Sequence, residues 1–188
     1  MNKKYQKIWN LAVKYLEKGA KKDFVLHTRG VIEAMQLILK DEAGNPDVLM
    51  PAAILHDVGW AGVPKKYQIA KDKKDWVMGL RLHIDLAPGI IEEILKSLNY
   101  KPSVIKEIVE VVKAHKFQKP RNLNKQILID ADQLSDAFKE QFYSDAKAYK
   151  IKPEKLYGFR IKDNKFYTKT AENIFAKEMK KREKELKV

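Results

Sequence analysis

A chain of 188 residues with 45 % apolar side chains and no cysteine can bury a core, but it excludes a disulfide scaffold and thiolate metal ligation. Any transition metal it binds must rest on His, Asp or Glu. The net charge of +13 invites a nucleic-acid partner, yet the lysines alternate with acids, as in "AKEMKKREKELKV", which favours a solvated surface over a phosphate-backbone stripe.

The N-terminal stretch "MNKKYQKIWNLAVKYLEKG" is charged throughout and lacks the apolar centre of a secretion signal. No apolar run approaches the roughly 18 residues of a membrane span. These features predict a soluble, cytoplasmic protein with no membrane partner.

Helical periodicity dominates. Residues 4–18 place Ile8, Leu11 and Tyr15 on one face, and Gly19 stops the run. A second helix is expected from Asp23, as N-cap, with Phe24, His27, Val31, Ala34 and Ile38 along one stripe. "DEAGNPD" reads as a turn, and a third helix is expected from Asp47 to Val58, closed by Gly59. "AGVPKKYQIAKDKKD" reads as a polar loop of the kind that rims sites.

"WVMGLRLHIDLAPGIIEEILKSLNY" is expected to hold two helical segments that meet near Asp85 to Pro88, since proline is tolerated in a helix's first turn. "KPSVIKEIVEVVKAH" carries Ile105, Ile108, Val112 and His115 at helical spacing. A single helix is expected from Lys125 to Phe142, with Ile127, Ala131, Leu134 and Phe138 on its apolar side. In the tail, Ala171, Ile174 and Phe175 should face inward. With no repeat, low-complexity segment or linker, the chain is expected to be one all-α domain over residues 1–188, a helical bundle.

The four histidines share one habit. His27 lies on an apolar stripe, His56 shares a face with Leu49 and Ala53, His83 precedes the expected helix start, and His115 ends an apolar face. Acids accompany them: Asp57 adjoins His56, and "LIDADQL" sets Asp130 and Asp132 in an apolar helix. Burying such groups unpaired is costly, and a divalent cation removes the cost by neutralising carboxylates and accepting imidazole lone pairs.

The order His27, His56-Asp57, His83, His115, Asp132 resembles the HD superfamily of metal-dependent hydrolases, from about Phe24 to Leu134. Val31 stands at the family's usual offset from the first histidine, and Asp132 lies in its Ala-Asp-x-Leu context. The resemblance implies an HD helical bundle with a motif core over about residues 24–135, an N-terminal helix and a C-terminal helical extension. It implies that His27, His56, Asp57 and Asp132 hold one divalent ion. His83, His115 and the other oxygen of Asp57 would hold a second, in a dinuclear site whose metal could be Fe, Mn, Co, Ni, Zn or Mg. Adjacent helix residues point about 100° apart, so His56 and Asp57 can converge only at a last turn, with Gly59 releasing the backbone.

Two divalent ions against Asp57 and Asp132 leave positive charge for an anionic substrate. The expected reaction is therefore hydrolysis of a phosphate ester or phosphoanhydride of a nucleotide or other small anion by an activated water. Many relatives carry His-Asp-x-Gly-Lys, and here Trp60 occupies the position after Gly59. The cationic group must come from Lys116, Lys65, Lys66 or Arg81, with Lys116 assigned the catalytic role beside Asp57. Trp60 could stack on a substrate ring or pack in the core or rim. Many relatives also carry arginine where this chain has Gly30, with Arg29 one place earlier. Asp130 either orients a histidine or faces solvent. The alternatives to a hydrolase are a di-iron oxygenase on the same ligand pattern and a regulatory binding module.

Overall fold

Polar residues ahead of the apolar runs start the helices. The side chains of Asn2, Asn45, Asp72, Asn122 and Thr168 each accept a hydrogen bond from a backbone N–H in the first turn they precede. Prolines 46, 102 and 153 occupy first-turn positions, where a missing N–H costs nothing. In the computed structural model, which describes residues 2–20 and 23–187, these signals produce ten α-helices and no strand among the described residues.

The helices are α1 (Lys3–Leu16), α2 (Phe24–Ile38), α3 (Pro46–Leu55), α4 (Lys65–Gln68), α5 (Lys73–Ser97), α6 (Pro102–Lys113), α7 (Leu123–Ser135), α8 (Lys139–Tyr149), α9 (Pro153–Asp163) and α10 (Lys169–Leu186). A 3₁₀ turn, Val58–Gly62, joins α3 to α4. No described helix is long and apolar enough to cross a membrane.

Helix α3 is apolar on every side, and all its residues from Val48 to Leu55 are buried. Such a helix must be surrounded, and α1, α2, α6 and α7 pack around it. Its C-terminal end therefore opens into the interior, and it delivers His56 and Asp57 there.

Four expectations are corrected. The segment around Pro88 is not a junction: α5 runs unbroken through it, so His83 sits mid-helix. An internal proline costs about 3 kcal/mol. Burial of Ala87, Ile91, Ile94 and Leu95 on the same helix offsets that, at about 1.5–3 kcal/mol per large aliphatic side chain. The stretch expected from Lys125 to Phe142 is two helices, because Phe138 adopts extended backbone (φ −69°, ψ 142°) and caps α8. The "polar loop" contains α4 and the start of α5. Asp23 precedes α2 but makes no capping hydrogen bond.

Helix α3 also ends earlier than expected, at Leu55, and Gly59 does not act through left-handed backbone, since no glycine has positive φ. It is required by a close approach. A Cβ at Gly59 would lie 1.9 Å from the His83 carbonyl oxygen and 2.9 Å from the Ala87 nitrogen. The 3₁₀ turn thus lies directly against the backbone of α5. Gly59→Ala must push the turn and α5 apart; the expected result is a marked fall in melting temperature, read by circular dichroism, with a wild-type value counting against this packing.

Asp130 takes neither of its expected roles. It is fully buried on α7 and accepts hydrogen bonds from the backbone N–H of Tyr167 (2.8 Å) and Thr168 (2.7 Å) and from the Thr168 hydroxyl (2.7 Å). It fastens the start of α10. Asp130→Ala leaves buried donors unsatisfied and should cost about 1–3 kcal/mol of unfolding free energy, measured by urea denaturation.

Candidate metal centre

Four helix ends or faces converge on one carboxylate. His56 caps α3 in helical conformation (φ −59°, ψ −34°), and Asp57 follows at φ −106°, ψ 5°. This sparsely populated backbone region turns both side chains to the same side. His27 comes from α2, His83 from α5, Asp132 from α7, and His115 from the turn just after α6.

His27 Nε2 and His56 Nε2 are 3.3 Å apart, and they lie 3.7 Å and 3.4 Å from Asp57 Oδ2. His83 Nε2 and His115 Nε2 are 3.2 Å apart, and they lie 3.6 Å and 3.9 Å from Asp57 Oδ1. Asp132 Oδ1 joins the first group, 3.1 Å from His27 Nε2 and 3.9 Å from His56 Nε2. The structure thus brings five of the six expected ligands into two clusters that share Asp57, with Asp132 beside the first through His27.

The donor set fits divalent cations. The Nδ1 atoms of His56 and His115 face the Ala53 and Val112 carbonyls at 2.9 Å and 2.5 Å. A carbonyl only accepts, so these Nδ1 atoms carry the protons and both Nε2 lone pairs point inward. His27 Nδ1 faces Ser135 Oγ at 3.3 Å, and that hydroxyl donates to the Asp132 carbonyl at 2.8 Å. The His83 and His115 Nε2 atoms, 3.2 Å apart on neutral rings, oppose lone pair to lone pair, and a cation between them reverses the sign of the interaction. His83 Nδ1 is buried with no hydrogen bond of ordinary geometry, although the Gly79 carbonyl one turn earlier favours its protonated form.

The electrostatics agree. Burial would lower His27, but the hydrogen bond to Asp132 and the charges of Asp132 and Asp57 outweigh it and raise its pKa to about 9. The paired carboxylates thus draw positive charge. Burial pushes His83 down to about 4 and His115 well below its usual range, with Lys116 adding to both, so both rings are the neutral imidazoles that ligate metals. Burial opposes the ionised forms of Asp57 and Asp132. His56 and the other imidazoles around Asp57, and Lys116 beside Asp132, hold both carboxyls well below their usual values.

Trp60 is buried. Its Nε1–H donates to Asp57 Oδ1 at 3.2 Å, and its ring stacks on His83 at 4.6 Å with only 4° between planes. Its ring also contacts the rings of Phe24 and Trp76. The residue in the place of the relatives' lysine therefore fixes a ligand pair and has no face left for a substrate base. Gly30 also has a packing reason: a Cβ there would meet Ser135 Cβ at 3.2 Å, where α2 and α7 approach closely.

A cleft of about 180 Å³ leads to the cluster. Of the four cationic candidates only Lys116 lines it, ion-paired with Asp132 Oδ2. Lys65 is exposed, Lys66 lies over the Tyr67 ring, and Arg81 lies over the Phe117 ring. Sequence reading missed the cleft's second cation, Arg160 on α9, and its partners Asp136 and Asp145. Nothing in the local pattern distinguishes them. Ser135 was legible in principle, three residues after Asp132 on one helix.

The family model for the HD domain matches residues 24–137, more than half of the chain. No curated protein and no solved structure matches it significantly.

Trp60→Phe keeps the ring but removes the donor to Asp57. Loss of an outer hydrogen bond to a ligand typically costs about 10–100-fold in metal affinity. That weakening is expected in chelator competition, together with a lower melting temperature from the void that the smaller ring leaves in the core; unaltered affinity would show that the indole only fills space.

Proposed function

The chain belongs to the HD domain family, a superfamily of metal-dependent hydrolases, and from that premise we propose that it is a dinuclear phosphohydrolase acting on small phosphorylated substrates. The observation that carries the proposal is the pairing of imidazoles, two on each oxygen of Asp57. His27, His56, Asp57 and Asp132 would hold one ion, and His83, His115 and Asp57 the second. Bound divalent ions supply Lewis acidity and lower the pKa of water to near neutrality.

The chain's own groups do the rest. Lys116, whose ammonium is kept charged by Asp132 and Asp57 despite burial, lines the cleft beside the ligands. It stabilises negative charge that develops on phosphoryl oxygens. Asp57 stays ionised and keeps both oxygens turned to the two imidazole pairs. Trp60 and the apolar end of α3 shut water out from behind the cluster. The inner cleft, at about 180 Å³, is smaller than the about 300–1,000 Å³ typical for drug-sized ligands. It suits a compact ester, and a nucleotide would leave its base outside, in the groove that passes Ile69, Trp76 and Tyr149.

Reconstituted protein is expected to hold two metal ions per chain by elemental analysis, falling to one in the His83→Ala/His115→Ala variant. A ratio of one that this variant leaves unchanged would refute the dinuclear reading.

Protein loaded with Mn²⁺ or Co²⁺ should release phosphate from a substrate panel under nitrogen. Asp57→Ala should abolish release, whereas Asp130→Ala, which touches no ligand, should retain measurable turnover. Strict dependence on iron and oxygen would assign the chain to oxygenase chemistry instead.

A further inference from the structure

The cleft is electrically two-ended, and its second end has no part in the chemistry above. At the metal end, Lys116 and the divalent ions that the ligands would hold favour an anion. The opposite wall is built from Asp23, Asp136, Asp145, Gln141 and Arg160. Arg160 spends both terminal nitrogens on carboxylates, Nη1 on Asp136 at 2.6 Å and Nη2 on Asp145 Oδ2 at 2.5 Å. Three carboxylates thus face one guanidinium, so the wall has an excess of negative charge even after pairing.

Two further observations indicate that the wall is arranged for a ligand. Gln141 is 4 % exposed; its Nε2 donates to Asp145 Oδ1 at 2.7 Å, which fixes the amide orientation, and its Oε1 is left buried with no hydrogen-bond partner. A buried amide oxygen without a donor costs about as much as a lost hydrogen bond. Asp23, at the start of α2, makes no side-chain hydrogen bond or ion pair among the described residues. Among the described residues the wall thus offers two unpartnered acceptors, the Asp23 carboxylate and the Gln141 amide oxygen, beside one unpartnered donor, the Arg160 Nε–H. A cation that donates several hydrogen bonds, such as an ammonium, matches carboxylates and an amide oxygen gathered on one wall.

We infer that this wall binds an ammonium group, and that the substrate is a zwitterionic aminoalkyl phosphate, with its phosphate at the metal end and its amine between Asp23, Asp145 and the Gln141 oxygen. The inference rests on the phosphohydrolase reading for the phosphate end and adds the identity of the other. Charge sets the polarity: a phosphate placed at the wall would meet unpaired carboxylate, and an ammonium placed at the metal end would meet Lys116 and the divalent ions that would neutralise Asp57 and Asp132. The small inner volume fits such a compact molecule. Asp23, Trp76, Asp145 and Tyr149 line both the inner cleft and the wider outer groove, so a substrate passes the selecting carboxylates on entry.

The test uses phosphonates, whose carbon–phosphorus bond resists hydrolysis, so binding is read without turnover. Aminopropylphosphonate, hydroxypropylphosphonate and butylphosphonate are titrated calorimetrically into the Mn²⁺-loaded full chain. The amino compound should bind at least about tenfold more tightly than either neutral analogue, the scale of one charged hydrogen bond. Asp23→Asn, which breaks no side-chain hydrogen bond or ion pair among the described residues, and Gln141→Leu should each reduce that preference, with melting temperatures confirming that both variants fold. Equal affinity for the three compounds, tight binding of the hydroxy compound, or a preference retained in both variants would overturn the ammonium site. Phosphate release from the corresponding esters is scored separately. An amine preference without release supports the wall and refutes the hydrolase reading; release without a preference does the reverse.

Discussion

The carboxylate of Asp57 sits buried between two pairs of imidazole nitrogens, one pair facing each oxygen. An ionised carboxylate in such a place needs several partners at once, because burial alone would drive it neutral. Much of the surrounding structure meets that need. The 3₁₀ turn sets the backbone of Asp57, Trp60 within that turn donates to its Oδ1, and Gly59 lets the turn touch the backbone of α5 beside His83. A side chain at position 59 would displace the turn from α5 and so separate Asp57 from one of its four imidazoles.

Helix α3 explains why the carboxylate can be buried at all. A helix end normally meets water, which satisfies its last carbonyls. Here the whole C-terminal half of α3 is enclosed, and His56 Nδ1 faces the Ala53 carbonyl in that last turn. The same contact orients the ring, so a requirement of the helix end also fixes the ligand. His115 repeats the device at the end of α6 with the Val112 carbonyl. Two of the four imidazoles are thus aimed by the helix ends that carry them, and a third, His27, by the hydroxyl of Ser135.

This also explains which parts were legible in the sequence. The ligands were, because a buried histidine or aspartate on an apolar face is chemically conspicuous and the chain has only four histidines. Most helix starts were, because capping residues and first-turn prolines act locally. Pro88 and the break at Phe138 were not. Whether proline is tolerated within α5 depends on what the flanking aliphatic residues bury against, and the α7–α8 break depends on distant packing. Trp60 was legible as a departure from the relatives' pattern but not as a support for Asp57, since its donor finds the carboxylate only through the turn's geometry. Arg160 was invisible. A single arginine on α9 has no local signature, and its meaning comes from Asp136 and Asp145 on other elements.

Those distant elements give the cleft its polarity. Helices α2 and α7 supply ligands at one end, and their continuations supply the acidic wall: Asp23 starts α2, and Asp136 directly follows α7. Asp23 and Asp136 therefore ride on the helices that carry His27 and Asp132, whereas Gln141 and Asp145 come from α8 and Arg160 from α9. Burial raises Asp136 to about 6, with Arg160 pulling the other way. A group whose folded pKa exceeds its unfolded value favours the fold while the native state holds the extra proton. That contribution is present below the unfolded value near 4 and is lost as pH rises through about 6. Near neutrality the wall is thus ionised at a cost in stability, and a bound organic cation would offset that cost by supplying the missing counter-charge.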